Sequence, residues 1–291
     1  MRARAPASSA NLGPGFDTLA VALALYTEVE INPSDHLVVR AEGEGSDLVP
    51  DSSHLAARVA MSVVGHDRLD ITVRSNIPVG RGLGSSAALA VAAAAAAGAT
   101  DPLAVAAAVE GHPENAAASV LGGLVTATTV AGETVASPLM LDPQLAFVVL
   151  VPDRPLATSK ARAVLAPQVP MTDAVLNLGR MGLLMAGLAN RYVLRREATE
   201  DRLHQSARSS LFPEASRLLD GLVDAGALAV CWSGAGPSLL GICESSHALD
   251  LKSAGQDLLS QCRVPGRSLA LRADTDGLIT TPTNEGGLRD Q

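Results

Sequence analysis

Short apolar runs alternate along the first half of the chain with polar turns and with helical patterns. Residues 19–31, 37–41 and 69–73 predict strands, because aliphatic and β-branched side chains are frequent in them and turn residues separate them. Residues 54–64 have helical character, and the alanine run at residues 87–97 predicts a helix packed closely against its neighbours. Strands and helices are therefore mixed in this half.

The mixture continues beyond the alanine run. A break at residues 98–101 precedes a further helix, Pro102–Glu110, and the pattern changes near residues 138–143. We then expect strands at residues 145–151, 227–232 and 264–271, helices at residues 174–189 and 213–224, and a frayed polar tail from Thr283. The sequence predicts an α+β fold with two domains, residues 1–145 and residues 146–291.

Composition and charge narrow the class of protein. Of the 291 residues, 47% are hydrophobic and 18% are charged, which is a globular composition, and the net charge of −8 disfavours a nucleic-acid partner. The longest apolar run is shorter than the roughly 18 residues of a membrane span, and no signal-peptide core is present. Cys231, Cys243 and Cys262 lack metal-ligand spacing and indicate packing in a reduced interior. We expect a cytoplasmic protein that binds no membrane.

A glycine-serine loop precedes the alanine helix. Its residues, and the start of the helix, are Pro78, Val79, Gly80, Arg81, Gly82, Leu83, Gly84, Ser85, Ser86, Ala87 and Ala88. Glycines let backbone approach an anion, the serines are expected to cap the helix, and a helix N-terminus favours phosphate. Neither a Walker A lysine pattern nor a dinucleotide-binding glycine pattern is present. The loop predicts a site for the phosphates of ATP; a turn that only caps the helix is the alternative.

Three further motifs lie at residues 6–17 (PASSANLGPGFD), 110–115 (EGHPEN) and 233–238 (SGAGPS). Together with the glycine-serine loop, and in the same order, they resemble the motifs of the GHMP kinases. The first two motifs are similar to those of the homoserine kinases within that family. The resemblance spans residues 6–279.

The resemblance implies a fold and a reaction. The fold would be an N-terminal α+β nucleotide-binding domain followed by a ferredoxin-like C-terminal domain that closes the cleft. The reaction would be transfer of a phosphoryl group from ATP, with Mg²⁺, to the hydroxyl of L-homoserine, a step toward threonine. The family also suggests a homodimer.

By position, the resemblance implies six side chains around homoserine: Asn11, Asp17, His112, Asn115, Arg162 and Arg208. The first two would hold the ammonium group, and the two arginines would hold the carboxylate, because a guanidinium fork fits a carboxylate. His112 and Asn115 would lie near the hydroxyl. The alternatives are turn residues for the first pair, solvated helix charges for the arginines and a loop histidine for His112.

Metal binding is implied for two residues, Ser86 and Glu110, since the family uses a glutamate here. Glu114 is the competing carboxylate, and either glutamate could instead cap the next helix. Glu28 and Glu30 are outside candidates.

Asn115, Arg162 and Glu110 are the implied catalytic residues. An amide is not a base, so the hydroxyl proton could pass to the γ-phosphate while Asn115 orients the hydroxyl. The chain departs from the family at Glu114, where aspartate is usual, at residues 206–207, where Pro-Tyr is frequent, and at His54, where asparagine is common. The alternatives are a mevalonate- or sugar-type GHMP kinase and a GHMP-fold protein that binds ligand without catalysis.

Overall fold

The computed structural model describes residues 1–282, so the predicted tail from Thr283 lies outside the described residues. The strands are β1 (Arg2–Asn11), β2 (Gly15–Pro33), β3 (Val38–Gly43), β4 (Leu69–Ser75), β5 (Leu124–Val130), β6 (Glu133–Leu139), β7 (Leu145–Pro152), β8 (Ala229–Trp232), β9 (Leu239–Glu244), β10 (Gly266–Leu271) and β11 (Ile279–Thr281). The helices are α1 (Leu55–Val64), α2 (Ser85–Ala96), α3 (Pro102–Glu110), α4 (Glu114–Leu121), α5 (Thr158–Ala163), α6 (Met171–Ala189), α7 (Gln205–Arg208), α8 (Ala215–Asp224) and α9 (Ala248–Gln261).

The first sheet has the order β11-β1-β2-β4-β3. β5 pairs with residues 19–21, near the start of β2, and β6 lies beside β5. Its strands pair antiparallel except β3 and β4. The hairpin between β1 and β2 closes where Asn11 pairs with Gly15, after a register shift between Ala10 and Asn11. The second part of the first motif, residues 11–17, lies at this irregular end of the hairpin.

The second sheet has the order β10-β7-β9-β8, and all its pairs are antiparallel. Read across the sheet and numbered by their order in the chain, the four strands have the order 4-1-3-2. Helices lie between β7 and β8 and between β9 and β10. This is the β-α-β-β-α-β arrangement of ferredoxin-like domains, so the predicted fold class is confirmed. The hairpin between β8 and β9 carries the last glycine-rich motif.

The predicted boundary between residues 145 and 146 stays a prediction. Sheet membership changes between β6 and β7, which agrees with it, but β11 returns to the first sheet and pairs with β1. One hydrophobic cluster also includes buried residues from both halves, such as Leu19 and Leu240. Among residues 1–282, no helix has the length and hydropathy to cross a membrane.

The alanine helix α2 is buried on all sides, with nine buried residues in its twelve. It packs against β1, β2, α1, α3 and α4, and small side chains allow these close approaches. The helix begins at Ser85, with Gly84 in the N-cap position and no side-chain cap, so the prediction of serine caps is wrong. Gly84 has a left-handed conformation, which costs glycine little and leaves the first N–H groups without a side-chain partner.

Replacing Ala93 in the middle of α2 by leucine should lower the free energy of unfolding by about 1–3 kcal/mol, because the buried site has no space for the added atoms. The matched change Ala108→Leu on the exposed side of α3 should stay within about 0.5 kcal/mol of the parent chain. Urea denaturation of both variants measures the difference. Equal stability of the two variants would contradict the tight packing of α2.

Candidate active site

One cleft joins the glycine-serine loop to side chains from both halves of the chain. Its cavity has a volume of about 280 Å³, and the lining includes residues 78–86 together with Asn11, Asp17, Glu110, His112, Glu114, Asn115, Arg162 and Arg208. All the side chains predicted around homoserine therefore line the same space. The structure does not place Ala87 and Ala88 on its surface, because both are fully buried in α2.

Glycines let the glycine-serine loop run against neighbouring backbone and side chains. A Cβ on Gly82 would lie 2.3 Å from the carbonyl oxygen of Ser233, and one on Gly84 would lie 2.1 Å from Ser8 Oγ. Both residues also have φ between +60° and +80°. The loop consequently leads directly into the N-terminus of α2, where free N–H groups and the helix dipole favour an anion.

Ser86 and Glu110 meet at the mouth of the cleft. Ser86 Oγ donates a hydrogen bond of 2.5 Å to Glu110 Oε1, which joins the first turn of α2 to the last residue of α3. A hydroxyl and a carboxylate are hard oxygen donors, and Mg²⁺ takes few protein ligands when phosphates supply the others. The pair fits Mg²⁺ in this role. Among residues 1–282, no group of three or more histidine, cysteine, aspartate or glutamate side chains could hold a metal ion.

The outside candidates Glu28 and Glu30 do not line the cleft. They lie on β2 and form ion pairs with arginines of the neighbouring strands, including Arg2 and Arg74. The alternative that a glutamate caps α4 is also wrong, because Pro113 occupies its N-cap position and no side-chain cap is formed.

The N-terminal loop, residues 11–17, owes its shape to Asn11. The Asn11 amide donates to the carbonyl oxygen of Gly234 at 2.8 Å, and its oxygen accepts the N–H of Asp17 at 3.0 Å. Asn11 and Asp17 both have positive φ, as the turn alternative expected, and both line the cleft. Turn formation and ligand contact are therefore compatible at these positions.

Arg162, on α5, forms a bidentate ion pair with Asp17. Its two terminal nitrogens donate to the two carboxylate oxygens at 2.9 and 2.7 Å. This hydrogen bonding raises the pKa of Arg162. The pair brings one positive and one negative group into the cleft in a fixed geometry, whereas the family resemblance implies separate ends of the substrate for the two charges.

Arg208 is the most deeply buried charge of the site, with 1% of its surface exposed. Its Nε donates to the carbonyl oxygen of Ala161 at 3.3 Å, and Nη1 donates to His204 Nδ1 at 2.9 Å and to the carbonyl oxygen of Gly234 at 3.0 Å. Burial lowers the pKa of Arg208 to about 10, and the charge of Arg162 acts in the same direction. The alternative of a solvated helix charge is wrong for Arg208.

Phe16 contacts both arginines. Each guanidinium carbon lies 5.6 Å from the centre of the Phe16 ring, within the range of a cation–π contact. Phe16 also stacks on His204, with ring centres 5.1 Å apart. The ring thus holds both cations of the site in position.

Asn115 is oriented from two sides. Ser8 Oγ donates to Asn115 Oδ1 at 2.9 Å, and Asn115 Nδ2 donates to Glu114 Oε1 at 3.2 Å. Glu114 is 2% exposed, and its Oε2 has no hydrogen-bond partner among the described residues. Burial raises the pKa of Glu114, and the nearby His112, at 3.5 Å, opposes this shift. A buried polar oxygen without a partner in a cleft is available to a ligand.

Three residues of the site were not assigned roles by sequence reasoning: Ser8, Phe16 and His204. The first two lie in the motif at residues 6–17, so their position in that motif was a signal. His204 precedes α7 outside the quoted motifs, and only its distance from Arg208, four residues along the chain, pointed to it.

The sequence matches two models of a known protein family. Residues 53–123 match the family model described as the GHMP kinases N terminal domain, and residues 173–260 match the GHMP kinases C terminal model. The first match contains the glycine-serine loop and the motif at residues 110–115.

Individual relatives carry a more specific name. The homoserine kinase of Desulfitobacterium hafniense is 35% identical over 95% of this chain and 98% of its own length. That of Mycolicibacterium vanbaalenii is 42% identical, over 81% and 82%. The crystal structure of homoserine kinase from Cytophaga hutchinsonii matches with a TM-score of 0.84, 25% identity and 96% coverage of each chain. A mevalonate kinase of L. major, 17% identical with a TM-score of 0.71, shares the fold. The chain belongs to the GHMP kinase family, among its homoserine kinases.

Proposed function

We propose that this chain phosphorylates the hydroxyl of L-homoserine with ATP and releases O-phospho-L-homoserine and ADP. The observation that carries the proposal is the joining, in one cleft, of the glycine-serine loop with charges of both signs, Asp17, Arg162 and Arg208. An amino acid presents both an ammonium and a carboxylate, whereas a sugar presents neither and mevalonate only a carboxylate. The names of the relatives support the same substrate.

The amino acid would be held at both charged ends. The carboxylate faces Arg208 and Arg162, because guanidinium groups donate charged hydrogen bonds to carboxylates. Arg162 gives two of its five N–H groups to Asp17, which leaves three for the substrate. The ammonium faces the carboxylates of Asp17 and Glu114, and the free Glu114 Oε2 accepts one of its hydrogens. The hydroxyl then lies toward Asn115 and the start of α2.

The hydroxyl is oriented by Asn115, whose amide is fixed by Ser8 and Glu114. An amide does not take up the proton, so the proton passes to an oxygen of the transferring γ-phosphoryl group. The protein contributes positioning and charge stabilisation, which are the main sources of rate acceleration in phosphoryl transfer.

Ser86 and Glu110 would hold Mg²⁺ beside the phosphates of ATP. When bound, the ion neutralises charge that develops on the phosphate oxygens. The backbone of the glycine-serine loop surrounds the same phosphates. Leu48, Val79 and Leu89 line the adjoining surface, so the adenine would make aliphatic contacts instead of stacking on an aromatic ring.

We further propose a cytoplasmic homodimer. Cys231, Cys243 and Cys262 are free, which suits a reducing compartment. The solvent-facing side of α6 supports a second copy as partner, because it is apolar and exposed at Met171, Val175, Leu178 and Leu183. Sedimentation velocity tests the homodimer.

ADP release should be supported by L-homoserine and not by mevalonate or galactose.

In Arg162→Ala the KM for homoserine should rise about tenfold or more, because a charged hydrogen bond to the carboxylate is lost, while the KM for ATP stays nearly unchanged. Arg154→Ala is the control, since Arg154 is an exposed arginine paired with Glu214 in the same half of the chain. Turnover of mevalonate without turnover of homoserine would refute the proposed substrate.

Glu114→Gln should change how stability depends on pH. Because burial raises the pKa of Glu114 above 4.5, the folded chain binds this proton more tightly than the unfolded chain. The resulting stability is fully present below the unfolded value and is lost as pH rises through the folded pKa. The glutamine variant should therefore gain stability relative to the parent chain as pH rises from about 4 to 8, as measured by urea denaturation.

The exposed Glu133 provides the control, since Glu133→Gln should leave the pH dependence of the parent chain unchanged. A constant stability difference between the parent chain and Glu114→Gln across this range would show that the Glu114 carboxyl is not destabilised by burial.

A further inference from the structure

A buried group of polar residues, which includes His204 and Asp201, lies next to Arg208. His204 has none of its surface exposed and contacts both the ring of Phe16 and the guanidinium of Arg208. It does not line the cleft itself. Its role in the site must therefore be exerted through the residues it contacts.

The proton of the His204 ring is located by its neighbours. Nε2 lies 2.9 Å from the carbonyl oxygen of Gly13, and a carbonyl only accepts, so Nε2 carries the hydrogen. Nδ1 then has a free lone pair, and it accepts from Arg208 Nη1 at 2.9 Å. An arginine only donates, so this contact requires a neutral ring. Burial lowers the pKa of His204 in the same sense, against the opposing charge of Asp201.

Asp201 stabilises this arrangement from the other side. Its Oδ1 accepts the backbone N–H groups of Leu203 and His204, each at 2.7 Å, and so fixes the turn that presents the ring. Its Oδ2 lies 3.7 Å from His204 Nε2, which further favours the proton on that nitrogen. Neither side chain has any exposed surface.

The donors of Arg208 can be counted. A guanidinium has five N–H groups. One, on Nε, points to Ala161, and the two on Nη1 point to His204 and Gly234. The two on Nη2 make no hydrogen bond with the described residues, and Arg208 lines the cleft. Nη2 is thus the part of the guanidinium that a ligand can use.

We propose that His204 is a positioning residue, whose neutral Nδ1 holds Nη1 of Arg208 and thereby aims Nη2 at the carboxylate of the amino-acid substrate. The inference rests on the proposed function, since it takes homoserine as the ligand of Arg208. A ring that merely filled space or tied down the N-terminal loop would need only its bond to Gly13 and its stack on Phe16. The positioning role needs the acceptor at Nδ1.

Two variants separate these roles, because each keeps one half of the imidazole. His204→Asn places an amide oxygen near the position of Nδ1, so it can accept from Arg208, but it is too short to reach Gly13. His204→Gln reaches Gly13 with its amide N–H but has no acceptor at the position of Nδ1. Positioning and simple structural support therefore predict opposite orders for the two variants.

Steady-state kinetics with homoserine and with ATP, together with thermal unfolding, should be measured for the parent chain and both variants. We expect the KM for homoserine to rise about tenfold in His204→Gln and only about threefold or less in His204→Asn, with the KM for ATP unchanged in both. The control is His247→Asn, since His247 Nε2 contacts the carbonyl oxygen of Ala225 at 2.8 Å, far from the residues that line the cleft.

The inference is overturned if His204→Asn raises the KM for homoserine as much as His204→Gln or more, or if both substrates are affected in parallel with the loss of thermal stability. Absence of homoserine turnover by the parent chain would instead refute the proposed function. The two failures are thus distinguishable in one set of measurements.

Discussion

The backbone of Gly234 holds together the segments that form the site. Its N–H donates to the carbonyl oxygen of Ala10 at 2.9 Å, while its own carbonyl accepts from Asn11 at 2.8 Å and from Arg208 at 3.0 Å. The neighbouring Ser233 hydroxyl contacts Ser9 and the carbonyl oxygen of Gly82. These contacts join three segments: the end of β1, the glycine-serine loop and the hairpin between β8 and β9. The cleft lies between these three segments.

This junction explains how an acidic chain can bind an anion. The net charge of −8 would repel ATP and a carboxylate at long range, so attraction must come from local groups. The N-terminus of α2 supplies one positive region, and Arg162 and Arg208 supply another. The positive region at the arginines depends on the contacts at Gly234, because the Gly234 carbonyl accepts a hydrogen bond from Arg208 and so helps to orient its guanidinium.

The sequence predicted the composition of the site better than its internal contacts. The glycine-serine loop, the fold class and the family followed from motifs, because several motifs of glycines and short polar residues in a fixed order are typical of few protein families. The strand β1 was missed, since its alanines, serines and proline have weak strand propensity and the strand is stabilised by pairing on both sides. Strands β5, β6 and β9 and helix α9 were missed for the related reason that tertiary pairing outweighs local preference.

The pairing of Asp17 with Arg162 could not be predicted, because the two residues are 145 positions apart and meet only in the folded chain. The same holds for the contact of His204 with Gly13, 191 positions apart. The serine caps were predicted wrongly because glycine can itself occupy an N-cap position, and Gly84 does so in a left-handed conformation.

The most direct test of the account is a crystal structure of the chain with a non-hydrolysable ATP analogue, Mg²⁺ and L-homoserine. The account predicts phosphates on the glycine-serine loop at the start of α2, the homoserine carboxylate within hydrogen-bond distance of Arg208 Nη2, and its hydroxyl between Asn115 and the γ-phosphate. Homoserine bound with its carboxylate away from Arg208, or phosphates held elsewhere than at this loop, would contradict it.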